Sequence, residues 1–215
     1  TLFFLIFTKL KFPNPEHFEP EPKVYLPFEM KKEYILYIAG ISCFAFGFID
    51  YSLIVMHVSR HFMDINPAIL NKETLPLLYA GAMLVDAVAA MFFGLLYDKN
   101  GVKALVWSTV LSAPFALFVF AGHSLSTLFV GVALWGVGMG AQESILKAAV
   151  TTMVPKNCRA TGYGIFECSF GAFWFLGSWL LGVLYDWSLP VMIGVSVFTQ
   201  LAAIPLYIKS AGAKK

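Results

Sequence analysis

Charge is what this sequence has least of. Only 13% of its 215 residues are Asp, Glu, Lys or Arg, against about 25% in an ordinary soluble domain. So few charged groups cannot cover a folded surface with water-compatible side chains, which excludes a soluble globular protein. The net charge is only +2, so there is no basic field to hold nucleic acid. Cysteine is scarce as well: Cys43, Cys158 and Cys168 stand singly. Without a CxxC pair or a disulfide framework, they read as buried, inert thiols. Also missing is the period-two alternation over about ten residues that marks a transmembrane barrel strand. No nucleophile–base pair or metal cluster stands out, so an enzyme is not expected and no cofactor is implied.

What is abundant is long apolar runs, in a chain that is 59% hydrophobic and 16% aromatic. Crossing about 30 Å of hydrocarbon takes about 20 helical residues. Runs of that length cover Tyr34–Phe62, Leu75–Tyr97, Ala104–Gly122, Leu125–Val154, Ala160–Leu184 and Leu189–Ile208. Between them fall the breakers Asn66-Pro67, Pro76, Asn100-Gly101, Gly122, Pro155 and Asp186 to Pro190. Such short connections force neighbouring helices to run antiparallel. The expected fold is therefore an all-α integral membrane protein, a bundle of six transmembrane helices over residues 33–208.

The two ends read differently. Residues 1–12 are apolar but meet Lys9 too soon to span, and they resemble the end of a preceding transmembrane helix. Residues 13–32 carry Pro13, Pro15, Pro20, Pro22 and Pro27 among Glu and Lys, a composition that favours extended, hydrated backbone and hence a linker. Residues 209–215 form a short basic tail. If Tyr34 enters from the cytoplasm, the basic residues of the linker, of Lys99 and Lys103, of Lys156 and Arg159, and of the tail all fall inside. Only Arg60 and Lys72 fall outside, and Lys147 lies within a span. That bias places both ends of the chain in the cytoplasm, with the plasma (inner) membrane as the expected location.

The corner after the second run carries a recognisable pattern. Gly94-Leu-Leu-Tyr-Asp98-Lys99-Asn-Gly101-Val-Lys103 resembles the G-x-x-x-D-[RK]-x-G-x-[RK] signature of major facilitator superfamily transporters. Four runs follow it and a charged linker precedes the first run, so the chain resembles helices 7–12 of that family, half of a major facilitator-type fold. The resemblance implies transport of a small-molecule substrate by alternating access, with protons among the candidate coupling ions. It also implies a partner, the N-terminal six-helix half or a second copy. Within the signature, Gly94 and Gly101 would permit close approach and a tight turn, while Asp98, Lys99 and Lys103 would form a conformational switch.

Charges inside lipid are costly and mark function by default. Asp50, Asp86, Glu143, Lys147 and Glu167 lie within the first, second, fourth and fifth runs; the third and sixth contain none. The family's cavity and half-to-half interface would use those same four helices. Glu143 and Lys147, four residues apart, are spaced as a helical ion pair. Asp50, Asp86 and Glu167 show no basic partner in the sequence. Because burial disfavours a charged carboxylate, they are candidate proton carriers, Asp50 first among them. Asp50 also falls on a stripe with Cys43, Gly47, Ile54, His57 and His61.

Other patterns carry less. Gly136-Val-Gly138-Met-Gly140-Ala141 mimics a nucleotide loop, but inside a span it reads as a close-packing helix face. His57 and His61 with Asp64 have metal-ligand spacing, yet histidines are common at a membrane edge, and no metal is expected. The reading is thus half of a secondary transporter. A non-transporting receptor or scaffold on the same fold is the alternative, and an excess of intramembrane acids points to neutral or cationic solutes.

Overall fold

The computed structural model describes residues 29–63 and 69–212, together with Phe7, Lys9, Lys11 and Pro67. Most of the expected helix end at 1–12, nearly all of the linker at 13–32, Asp64 and residues 213–215 lie outside the described residues. Among the described residues there is no strand, and six helical segments are long and apolar enough to cross a membrane: Lys32–His61, Leu75–Asn100, Lys103–Ala121, Leu125–Met153, Lys156–Trp187 and Leu189–Gly212. These are the six runs expected, with ends shifted by a few residues.

The sixth span packs along the first, and the third packs against the fourth and sixth. The second crosses the fourth, and the fifth lies against the first. The third and sixth spans, charged only at an end, are therefore neighbours. Large apolar side chains such as Leu84, Met91, Phe175, Trp179 and Phe198 point outward, where lipid or another apolar surface must cover them.

Because lipid tails are as apolar as the side chains, close van der Waals contact rather than water exclusion must hold the helices together. Glycines provide it where the second and fourth spans cross. A methyl group at Gly136 would meet the Ala82 carbonyl, and one at Gly140 would meet the Asp86 carbonyl. That bears out the reading of this glycine pattern as a packing face. Gly177 of the fifth span lies as closely on the Phe46 backbone of the first.

Three spans are interrupted along their length. The first is α-helical over Lys32–Gly47 and again over Tyr51–His61, with Phe48, Ile49 and Asp50 between. The stripe expected from Cys43 to His61 therefore has a break in its middle. In the fourth span, α-helix over Leu125–Ala141 passes into a π turn at Gln142–Leu146 and returns to α-helix over Lys147–Met153. A further π turn, Leu117–Ala121, ends the third span after Pro114, whose missing N–H weakens the preceding α ladder.

Candidate functional site

At the break in the first span, the backbone groups that leave the helix find side-chain partners. The Gly47 carbonyl accepts from Ser196 Oγ at 2.7 Å and Gln200 Nε2 at 3.2 Å, both on the sixth span. The Ile49 carbonyl accepts from Trp135 Nε1 on the fourth span at 2.9 Å. Phe48 fills the space beside them, with ring centroids 5.3 Å from Phe115, 5.8 Å from Trp135 and 5.6 Å from Trp174. Asp50 does not lie in mid-helix as expected. It caps the second helical piece, accepting from the Ser52 N–H and the Ser52 hydroxyl, each at 3.0 Å. A carboxylate suits that place because the first amides of a helix lack intrahelical partners.

The fourth-span interruption is different. Its backbone is supported: Ser144 Oγ donates to the Gly140 carbonyl at 2.8 Å, and Tyr37 donates to the Leu146 carbonyl at 2.6 Å. Its side chains, however, face a groove of about 580 Å³ between the fourth and fifth spans. Gln142, Glu143 and Lys147 line one wall, and Phe166, Glu167, Phe170 and Trp174 the other. Lys147 Nζ lies 3.7 Å from Glu167 Oε1, with both side chains more than half exposed in this chain. The ion pair expected between Glu143 and Lys147 is thus replaced by one across helices. The π turn stacks a residue nearer its fifth successor than its fourth, so the ladder that an i, i+4 pair needs is lost. Glu167, which the sequence left without a basic partner, has one.

Gln142 was missed by sequence reasoning, since an uncharged amide gives no signal in an apolar run. It is 7% exposed, and neither its Oε1 nor its Nε2 has a partner among the described residues. Asp86 is similar: it is 8% exposed, its backbone lies against Gly140, and its Oδ1 has no partner. The structure therefore brings Glu143, Lys147 and Glu167 to one groove. It sets Asp86 at the neighbouring helix crossing and puts Asp50 in a separate recess with Ser178 and Asp186.

The signature corner is tighter than its sequence suggests. The second span stays helical through Asn100, so Asp98 and Lys99 occupy its last turn rather than a loop. Gly101 turns the chain with φ of 58° and donates its N–H to the Tyr97 carbonyl at 2.7 Å; that positive φ is where glycine is required. Asp98, Gly101 and Lys103 then border a recess of about 380 Å³ with Glu33, Thr152 and Ser210. Among the described residues nothing approaches within 4 Å of where a Cβ on Gly94 would be.

At the opposite end, Arg60 Nη1 meets Asp186 Oδ1 at 3.2 Å, and its guanidinium lies 5.6 Å from the centre of the Tyr185 ring. Tyr185 OH in turn lies 3.0 Å from His57 Nδ1, and the His57 and His61 rings are 4.6 Å apart. This network ties the end of the first span to the end of the fifth. No group of three or more potential metal ligands occurs among the described residues. Of the cysteines, Cys158 is buried, Cys43 half-buried and Cys168 exposed in this chain, so the expectation of burial holds unevenly.

The family model described as Major Facilitator Superfamily matches residues 34–214. Among curated proteins, an uncharacterized protein of Mycobacterium bovis and one of Mycobacterium tuberculosis strain H37Rv are each 30% identical to this chain over 206 residues. Those matches cover 93% of the chain and 49% of each relative. The chain thus spans about half the length of the curated relatives it matches.

Proposed function

The chain belongs to the major facilitator superfamily, a family of membrane transporters, and from that premise we propose that it supplies one half of a secondary transporter. A second six-helix half completes the molecule, and a small solute passes between the halves by alternating access. The observation that carries the reading is the groove between the fourth and fifth spans, where Lys147 and Glu167, both within apolar spans, form an ion pair on an open wall. An exposed ion pair contributes little to stability, while charge in hydrocarbon is costly. A second half or a solute facing that wall gives the pair a purpose.

The fold adds support. All five intramembrane charges lie on the first, second, fourth and fifth spans. The second and fifth are also the least covered in this chain, with 22% and 17% of their most apolar stretch buried. Those are the faces a second half would cover. In this reading Asp98, Lys99, Gly101 and Lys103 form a switch at the cytoplasmic side, and Gly94 waits for a helix of the other half. Lys31, Lys32, Lys99, Lys103, Lys156, Arg159 and Lys209 share that side, a bias that supports reading it as the cytoplasmic one.

Proton coupling, in this reading, falls to Asp86 ahead of Asp50. The Asp50 carboxylate is committed to capping its own helix, whereas Asp86 is buried with an oxygen that has no partner among the described residues. Glu167 follows them, already engaged by Lys147. Reconstituted with its second half, the Asp86→Asn protein is expected to lose uphill, pH-driven accumulation while keeping exchange down a gradient. Retained uphill accumulation would return Asp86 to a structural role. Sidedness is checked in a background lacking the native cysteines. An impermeant thiol reagent added to intact cells should label Ser124→Cys and spare Asn157→Cys, and the reverse pattern would invert the topology.

A further inference from the structure

A second groove of about 580 Å³ is lined by the second and third spans and reaches Leu134 of the fourth. Every side chain on its wall is apolar, and two of its rings stand well out, Phe92 at 59% and Trp107 at 63% exposure. Pro114 and Phe118 border it where the third span leaves α-helical geometry. Gly94, the position given above to the second half, is two residues from both Phe92 and Leu96. It therefore looks out from the opposite side of its helix, which leaves the groove to lipid or to another copy of the chain. Along the third span, Trp107 to Phe118 covers about 16 Å at about 1.5 Å per residue, close to one leaflet of a hydrocarbon core about 30 Å thick.

Charge gathers at one end of this groove. On the third span the stripe of Trp107, Leu111 and Pro114 continues back to Lys103, one turn before Trp107. On the second, Lys99 follows Leu96 by three residues. Both lysines are exposed, and neither has an ion pair among the described residues. Asp98, two residues from Leu96, falls on the opposite face and borders the corner recess, which Lys103 also reaches. A chain lying in the groove would carry its phosphate to the level of these ammonium groups, which long lysine side chains deliver to the headgroup layer. A second copy fits worse. In the same membrane orientation it would bring its own Lys99 and Lys103 to the same depth, where like charges repel.

We propose that this groove binds an anionic phospholipid of the leaflet beside the signature corner. One acyl chain lies along Trp107, Leu111, Pro114 and Phe118, and the headgroup phosphate sits between Lys99 and Lys103. The site is separate from the solute groove, so it can fail while the transport reading stands.

The test is native mass spectrometry of the complete protein released from nanodiscs holding equal parts of phosphatidylglycerol and phosphatidylcholine with matched chains. Phosphatidylglycerol should be the lipid retained. Changing Lys99→Gln and Lys103→Gln should lower its preference over phosphatidylcholine about fivefold for each lysine. Leu111→Trp keeps both lysines but fills the groove from an exposed position, and should release the retained lipid whichever headgroup it carries. Val110→Trp repeats that test from the neighbouring position if Leu111→Trp does not fold. A preference unmoved by the lysine changes, or a retained lipid indifferent to groove filling, would overturn the proposal. So would a lipid-free dimer that Leu111→Trp dissociates, since the occupant would then be a second copy.

Discussion

The first and fourth spans are both interrupted along their length, but they resolve the interruption in opposite ways. In the first, the Gly47 and Ile49 carbonyls and the Asp50 carboxylate are all taken up by groups of this same chain. In the fourth, the backbone is supported while Gln142 has no partner among the described residues and Glu143 lines an open groove. Irregular backbone is tolerated in a membrane only where it is buried in protein or lines a cavity, and these two spans take one option each. The comparison suggests that the first-span break shapes the bundle, while the fourth-span turn presents chemistry to whatever enters the groove.

If that contrast is right, substitutions at the two breaks should separate stability from transport. The largest stability effect is expected from Trp135→Ala, which removes both the Ile49 hydrogen bond and the ring against Phe48. Loss of about 3–5 kcal/mol, read as reduced resistance to thermal unfolding in detergent, would fit a structural break; a neutral result would undo it. Asp50→Ala should cost about 1 kcal/mol through loss of the cap, and Asp50→Asn much less, because asparagine caps equally well.

At the fourth span, Glu167→Gln should alter stability by no more than about 1 kcal/mol yet reduce solute turnover. Equal loss of both would make the Lys147–Glu167 pair a structural tie like Arg60–Asp186. The smallest stability effect is expected at the corner. Asp98 is exposed on the last helical turn, so Asp98→Asn should leave membrane abundance near normal while lowering turnover. Unchanged turnover would mean that the Asp98 charge has no part in switching.

Much of this was legible in the sequence because membrane helices obey a length rule. All six spans, the glycine crossing at Gly136 and Gly140 and the tight turn at Gly101 follow from apolar runs and breakers. The first-span break was not read from the sequence: Asp50 is a residue type that caps helices, but it stands within an apolar run long enough to be one continuous helix. The π turn left no trace. Gln142–Leu146 has ordinary helical composition, and its geometry depends on Tyr37 and on packing against distant residues. Pairing was lost with it: four-residue spacing predicts Glu143 with Lys147, but in a π turn the neighbour across the groove wins. Gln142 escaped because what marks it, burial without a partner, exists only after folding.

The central claim is that the fourth-span groove faces a pathway open to each side of the membrane in turn, and position 143 reports on it without knowledge of the solute. In the complete protein, lacking its native cysteines, Glu143→Cys would be exposed to an impermeant thiol reagent from either side of sealed vesicles. Labelling from both sides, with Asp98→Asn changing the ratio between them, is the predicted result. Labelling from one side alone, or a ratio that Asp98→Asn leaves unmoved, would contradict an alternating pathway switched at this corner.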